Sequence, residues 1–312
     1  GTPKVCENQV FIRNLLKTLR IRDLQLSIVY LNGEYQPAEL AKISPMDRGF
    51  LFGDGIYEVV PCYDGQFIGF VHHIERLFQG LAAIEIQHSF TLQEFKDICL
   101  TLNQKNGGGN LGIYIHVSRG VCLERHHAFP EGISPTLFVY TFELPERPSV
   151  NRMETATYKV STQQDLRWHR CNIKSTALLG NVMHFQKSHV AGFDETLLFN
   201  ANDELTEAAS CNVFIVKDKV VATPNLDSQK LPGITRLVLL RILAEHTELV
   251  LEERVITKQE VLAADEVWLT SSVKHVGPVV QVDELKVGNG KPGPVWETAQ
   301  RLFLEHQFEY ND

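Results

Sequence analysis

A lysine, a glutamate and two hydroxyl-rich turns carry the clearest chemistry in this sequence. Lys174 stands in Cys171-Asn172-Ile173-Lys174-Ser175-Thr176-Ala177-Leu178, where a strand-like turn is expected to pass into a helix over 174–190 with a mostly apolar first turn. An ammonium set against apolar surface loses solvation and gives up its proton more easily. A neutral amine is what Schiff-base chemistry needs; the plainer alternative is a solvated lysine at a helix start. Glu207, in Leu205-Thr206-Glu207-Ala208-Ala209-Ser210-Cys211-Asn212, precedes three small residues and then a strand. Small residues let backbone approach a flat ligand, and a carboxylate there can pair with a pyridinium nitrogen; the alternative is a solvated loop glutamate. Leu231-Pro232-Gly233-Ile234-Thr235-Arg236 opens a helix. Its free N–H groups and the Thr235 hydroxyl suit a phosphate, or serve only as a cap. Thr270-Ser271-Ser272 closes a strand and can add phosphate contacts. Together these elements point to pyridoxal 5′-phosphate.

The elements that must position these residues are legible in outline. One hairpin is expected over 27–35 on Asn32-Gly33, and a second over 56–70 on Asp64-Gly65. Asn-Gly suits a type I′ turn, whose two central residues both need positive φ. Asp47 to Gly55 is a glycine-rich connection between the hairpins, and helices are expected over 72–84 and 92–103. Gly107-Gly108-Gly109-Asn110-Leu111-Gly112 matches G-x-G-x-x-G, but a helix precedes it and the strand 113–117 follows. The dinucleotide fingerprint requires the reverse order, so this is a turn. Strands over 136–142 and 155–160 flank Leu144-Pro145-Glu146-Arg147-Pro148-Ser149, whose prolines and charges mark a linker. Beyond it are expected strands over 195–199, 212–216, 220–222, 250–254 and 266–269, and helices over 234–245 and 295–303. The pattern is a two-domain α/β or α+β enzyme. Its parts are an N-terminal extension 1-26, a small α/β domain 27-144, a linker 145-152 and a large cofactor-binding domain 153-312.

Composition narrows the class. The 312 residues are 44% hydrophobic and 22% charged, with 30 Lys plus Arg against 38 Asp plus Glu and a net charge of -8. An acidic chain without a basic run is a poor nucleic-acid binder. No apolar run approaches the ~20 residues of a membrane span. The six cysteines are scattered, without metal spacing, and fit buried thiols in a reducing compartment. No secretory signal is read in 1-26. That segment carries a basic, helix-like patch (Phe11, Leu15, Leu16 and Leu19 with Arg13, Lys17, Arg20 and Arg22), read as a packed helix with a transit-peptide tail as the alternative. Gly1 in place of Met suggests processing or a tag remnant.

From about residue 28 to 308 the chain resembles the fold-type IV pyridoxal-phosphate enzymes, which include D-amino-acid transaminases, branched-chain aminotransferases and aminodeoxychorismate lyases. The motifs run in order: Asp47-Arg48-Gly49, Phe52-Gly53-Asp54-Gly55, Tyr57-Glu58, His73-Ile74-Glu75-Arg76-Leu77, Asn172-Ile173-Lys174, Thr206-Glu207, Asn212-Val213-Phe214 and Gly233-Ile234-Thr235-Arg236. The resemblance implies a smaller N-terminal α/β domain and a larger, β-barrel-like C-terminal one. It implies that Lys174 holds the cofactor as a Schiff base and Glu207 keeps its ring nitrogen protonated. Arg76 would grip the phosphate, with Gly233, Ile234 and Thr235 at the helix start and Ser271 and Ser272 opposite. Tyr57 would sit beside Lys174. Without the resemblance, Arg76 reads as a helix-surface arginine and Tyr57 as a core aromatic.

Ser118-Arg119-Gly120 followed by Glu124-Arg125-His126-His127 resembles the carboxylate trap of D-amino-acid transaminases, with Arg125 and His127 as the clamp and Arg119 structural. An Arg fork suits a carboxylate, whereas adjacent histidines lack zinc spacing, and no metal is expected. Arg167-Trp168-His169-Arg170 also resembles the stretch before the lysine in that group. One departure is read at Phe90, placed where the trap has a tyrosine from the neighbouring subunit. The resemblance thus implies a homodimer that exchanges an amino group between a D-amino acid, D-alanine-like, and a 2-oxo acid, 2-oxoglutarate-like; the expected location is cytoplasmic, with organellar import left open by the basic segment 1-26. The rivals are a 4-amino-4-deoxychorismate lyase, a branched-chain L-amino-acid aminotransferase and a non-catalytic cofactor-binding protein.

Overall fold

The computed structural model describes residues 27–311; the expected extension 1-26, with Cys6, lies outside them. Strands β1 (Ile28–Leu31) and β2 (Glu34–Pro37) form the first hairpin. Asn32 and Gly33 have φ of 47° and 102°, the pair of positive values that a type I′ turn demands. There follow a short helix α1 (Arg48–Phe52), strands β3 (Gly55–Tyr63) and β4 (Gln66–Phe67), helices α2 (Phe70–Ala83) and α3 (Leu92–Lys105), and strands β5 (Asn110–Ser118) and β6 (Thr136–Glu143). The Asp47 side chain accepts from Gly49 N to start α1, and a Thr91–Glu94 capping box starts α3. Gly107, Gly108 and Gly109 all have positive φ, so the glycine run is a turn into β5.

These six strands make an antiparallel sheet in the order β2-β1-β6-β5-β3-β4. Successive side chains on a strand point to opposite faces. Ile56, Val60 and Cys62 of β3 therefore pack with Ile74, Leu77 and Leu81 of α2 and with Phe95 and Leu102 of α3. Tyr57 points the other way and stacks on Tyr114 of β5, ring centroids 5.5 Å apart. The alternation on one strand thus separates a core face from a face free for a ligand.

The second half holds β7 (Tyr158–Gln164), α4 (Leu179–Val190), β8 (Glu195–Phe199), β9 (Leu205–Ala208), β10 (Asn212–Lys217), β11 (Val220–Thr223), α5 (Ile234–His246), β12 (Val250–Glu253), α6 (Lys258–Leu262), β13 (Glu266–Ser271), β14 (His275–Val282), β15 (Leu285–Lys286) and α7 (Pro294–His306). The nine strands form one mixed sheet in the order β12-β11-β10-β13-β14-β7-β8-β9, with β15 on β14. Strand β9 passes into β10 through a tight turn, where Ala208 N donates to Cys211 O at 2.8 Å. Phe214, Trp268 and Val276 pack outward on Val238, Leu239 and Ile242 of α5 and Trp296 and Phe303 of α7. Val160, Leu197, Val213, Leu269 and Val279 fill the other face.

Several expectations change. The helix expected from residue 174 begins at Leu179, because residues 174–176 bond to β3 instead. The strand expected over 155–160 is Tyr158–Gln164. Strand β14 has no counterpart in the sequence reading: it opens on His275 at φ 54° and contains Gly277-Pro278, which locally reads as a turn. Strand β9 and helix α6 are likewise additions.

Candidate active site

Lys174 lies in an extended segment five residues before α4. Tyr57 N donates to Lys174 O and Thr176 N to Gly55 O, both at 3.0 Å, and Ser175 bridges Ile56. The Thr176 hydroxyl donates to Gly53 O at 2.9 Å. Gly53 has φ of 66°, and a Cβ there would lie 2.9 Å from Ala177 Cα. Glycine is therefore needed twice over, for its dihedral and for the close passage of this segment. The pairing sets Lys174 Nζ 4.3 Å from the centroid of the Tyr57 ring, a cation–π distance. The segment thus ties the lysine of one half to the tyrosine of the other.

Glu207 is not on a loop. It belongs to β9 and is buried. Arg167 Nη1 donates to its Oε1 at 2.6 Å, while Leu231 N (3.0 Å) and Asn212 Nδ2 (3.2 Å) donate to Oε2. A carboxylate offers about four acceptor positions, so one remains for a donor in the cavity. Burial pushes the Glu207 carboxyl up, against the opposing pull of Arg167. Arg167 is itself held by Asp165, through Nε at 3.0 Å and Nη2 at 2.8 Å, and Thr206 Oγ1 donates to Asp165 Oδ2 at 2.8 Å. Arg167 is the residue whose role sequence reading missed. The available signal was Asp165-Leu166-Arg167, two opposite charges two apart at a strand end, on one side of the chain.

Arg76 is not a surface residue. Its Nε and Nη2 each donate to Glu58 at 2.8 Å, and Nη1 donates to Pro232 O at 2.7 Å. Arginine has five N–H donors, which leaves two toward the cavity it lines. Glu58 is fully buried and also shares a 2.7 Å hydrogen bond with His73 Nδ1. Burial alone would raise its carboxyl, but the Arg76 charge and the bonds from Arg76 and His73 overcome this and hold it at about 2. A carboxyl depressed in the fold stabilises above its unfolded pKa, about 4.3. That contribution, about 3 kcal/mol, is lost as pH falls from there toward 2. Glu58→Gln should accordingly flatten the acid limb of stability between those values in a urea titration against pH. It should also cost about 3–5 kcal/mol near neutrality, because Arg76 stays buried without its partner.

Tyr57, Arg76, Lys174, Glu207, Gly233, Ile234, Thr235, Ser271 and Ser272 all line one cavity of about 550 Å³. Gly233 is the N-cap of α5, and a Cβ there would collide with Asn212 Oδ1 and disturb its bond to Glu207. The α5 N–H groups, the Thr235 hydroxyl and the spare donors of Arg76 suit a phosphate. Ser272 Oγ, by contrast, donates to Val59 O at 3.0 Å, and Ser271 Oγ accepts from Lys274 N at 3.1 Å. Thr270 Oγ1 also lines the cavity, buried and without a hydrogen-bond partner. A buried hydroxyl left unpaired is costly unless a ligand meets it. The open acceptor of Glu207, the orphaned Thr270 hydroxyl and the anion-binding helix start fit pyridoxal 5′-phosphate.

Two expectations do not meet at this cavity. Arg125 and His127 are exposed and outside its lining. They pack on α1, with the Arg125 guanidinium 5.0 Å and the His127 ring 5.6 Å from the Phe52 ring. Arg48 Nη1 fastens their loop by donating to His126 O at 2.6 Å. Phe90 is also elsewhere, against His88 and Phe95 at the edge of the first core. The tyrosine that lines the cavity in this chain is Tyr57. Arg119 is structural as expected: it donates to Asp54 and to Ile84 O and stacks over Phe129.

Residues 55–282 match the family described as Amino-transferase class IV. The D-alanine aminotransferase of Bacillus licheniformis is 37% identical over 277 residues, which is 87% of this chain and 94% of that protein. That of Staphylococcus haemolyticus is 35% identical over 281 residues, 89% and 97% of the two chains. Among solved structures, the Escherichia coli branched-chain amino acid aminotransferase matches with a TM-score of 0.83 at 23% identity, covering 92% of this chain and 96% of its own. A branched-chain amino acid aminotransferase from T.th., solved with pyridoxamine 5′-phosphate, matches at 0.83 and 21%, covering 91% and 95%. These structural likenesses concern the fold.

Proposed function

The chain belongs to the class IV aminotransferases, and from that premise we propose that it transfers an amino group between a D-amino acid, D-alanine-like, and a 2-oxo acid, 2-oxoglutarate-like. The observation that carries the choice of substrate is the 33–37% identity to D-alanine aminotransferases over most of the chain. The branched-chain structures share the fold at 20–23% identity.

Pyridoxal 5′-phosphate, when bound, supplies a carbonyl that condenses with amines and a ring that holds the electrons freed at Cα. The protein's part is to bind, orient and move a proton. Arg76, Thr235 and the N–H groups after Gly233 would hold the phosphate, with Ser271 and Ser272 beside them. Glu207 would hold the ring N–H on its open acceptor, its own charge balanced by Arg167. Lys174 would hold the cofactor through its Nζ and, once freed by the incoming amine, would carry the Cα proton on that Nζ. Tyr57 flanks the Lys174 amine and limits its excursions. The same lysine serves both halves of the exchange, so ping-pong kinetics follow.

The clamp needs a second chain. Arg125 and His127 are exposed and outside the cavity of the chain described. Val182, which lines the cavity, and its chain neighbours Leu179 and Met183 are also exposed, as is Leu166 beside the cavity-lining Arg167; exposed apolar side chains of this kind suit a surface that another protein covers. We infer a homodimer in which the loop of one copy brings Arg125 and His127 to the cavity of the other. Pinning the carboxylate then decides which face of Cα meets Lys174. The division at residues 145–152 and a cytoplasmic location belong to the same reading; the described Cys62, Cys99, Cys122, Cys171 and Cys211, all free thiols, support the latter.

The test is the visible absorbance of the purified, cofactor-loaded protein. D-alanine should bleach it, 2-oxoglutarate should restore it, and L-alanine should leave it unchanged. Equal bleaching by L-alanine would favour the branched-chain reading, and indifference to both would favour the lyase.

A further inference from the structure

Four cationic side chains line the cavity: Arg76, Arg167, Lys174 and Lys274. Arg76 is neutralised by Glu58, and Arg167 by Asp165 and Glu207. Lys174 is committed to the carbonyl chemistry. Lys274 remains, and among the described residues no carboxylate lies within ion-pair distance of it. It sits in the turn between β13 and β14, half-buried, with its Nζ 5.6 Å from the centroid of the Tyr158 ring and facing Cys211. Cys211 Sγ is its side-chain hydrogen-bond partner, and the Glu195 carboxylate, which also accepts from the Ser210 hydroxyl and Thr196 N, acts on it through charge from beyond contact distance. The Cys211 thiol is pushed up to about 11 by burial, so it offers no charge near neutrality. A partly desolvated ammonium that no carboxylate touches is ready to take one from a ligand.

We propose that Lys274 receives the second, distal carboxylate of a dicarboxylic substrate, and so selects dicarboxylic over monocarboxylic 2-oxo acids. The proposal rests on the transaminase reading and deepens it. Two anions could reach this cavity, the cofactor phosphate and a substrate carboxylate. The phosphate is already served by α5, Thr235 and the free donors of Arg76. Lys274 instead joins the wall built by Ala208, Ala209, Ser210 and Cys211, whose small side chains leave room for a substrate arm. A point-charge ammonium on a flexible stem suits a carboxylate that arrives on chains of slightly different length.

The experiment uses the holoenzyme and two unreactive probes, glutarate and butyrate, with binding measured by calorimetry. The wild type should prefer glutarate. Lys274→Met should lower glutarate affinity at least tenfold and abolish the preference, and Lys274→Arg should restore much of it. The KM ratio of 2-oxoglutarate to pyruvate should rise by a similar factor. Lys274→Gln repeats the test should the Met variant fold poorly. An equal loss for both probes, or an unchanged preference, overturns the proposal. So does weakened uptake of pyridoxal phosphate by the cofactor-stripped variant, which would assign Lys274 to the phosphate. Should the wild type aminate neither 2-oxo acid, the transaminase reading fails, an outcome distinct from a failure of Lys274 to discriminate the probes.

Discussion

Lys174→Ala should reduce transamination by at least about 10⁴-fold, because one substitution removes both the carbonyl partner and the proton carrier. The fold should survive. The Lys174 side chain contributes a single cation–π contact with Tyr57, about 0.5–1 kcal/mol at a partly open site. The backbone bonds that fix its segment, from Tyr57 N and Thr176 N, do not involve the side chain. A thermal melt should therefore stay within a few degrees of wild type while turnover disappears. Lys174→Arg separates charge from nucleophilicity: it keeps the cation and should be just as inactive. Near wild-type turnover in either variant would overturn the assignment of the site.

Arg167→Met should have the largest effect on stability. The arginine is the only cation among the described residues paired with both Asp165 and Glu207, and all three side chains are buried. Removing one member of a buried ionic group leaves uncompensated charge and costs about 3–5 kcal/mol. The remaining carboxylates then avoid being ionised together. Glu207, already pushed up by burial, moves higher still. A carboxyl raised in the fold contributes stability that is complete below its unfolded pKa, about 4.3, and is lost as pH rises through the folded value. The deficit of the variant relative to wild type should consequently be smaller near pH 5 than near pH 8, in denaturant titrations at both. Activity should fall as well, since a protonated Glu207 cannot hold the cofactor's ring nitrogen protonated. A deficit independent of pH would mean that Arg167 matters for packing alone.

The charges of this site are layered. Each residue that faces the cavity is set by a partner behind it: Glu58 behind Arg76, Arg167 behind Glu207, Asp165 behind Arg167. Such outer partners fix the orientation and the protonation state of the groups in contact with the ligand. Lys274, by contrast, has no carboxylate in ion-pair contact among the described residues.

The residues with intrinsic chemistry were readable from the chain alone. Lys174, Glu207, the Gly233-Ile234-Thr235 helix start and the Thr270-Ser271-Ser272 strand end each follow from side-chain type and the neighbours next in sequence. The two hairpins, the helices over Phe70–Ala83, Leu92–Lys105 and Ile234–His246 and the turn at Gly107 were equally local, resting on turn chemistry and apolar period. What failed was whatever depended on a distant partner. Lys174 stays out of the helix because β3, more than a hundred residues earlier, offers it backbone bonds. Glu207 reads as a solvated residue until Arg167 balances its burial. Arg76 reads as surface until Glu58 and Pro232 O enclose it. Arg125 and His127 show the converse: their types announce a carboxylate clamp, yet in this chain they rest on Phe52, outside the cavity. Side-chain chemistry is a local property and was written in the sequence. Burial, charge balance and the meeting of residues far apart are properties of packing, and only the tertiary structure decided them.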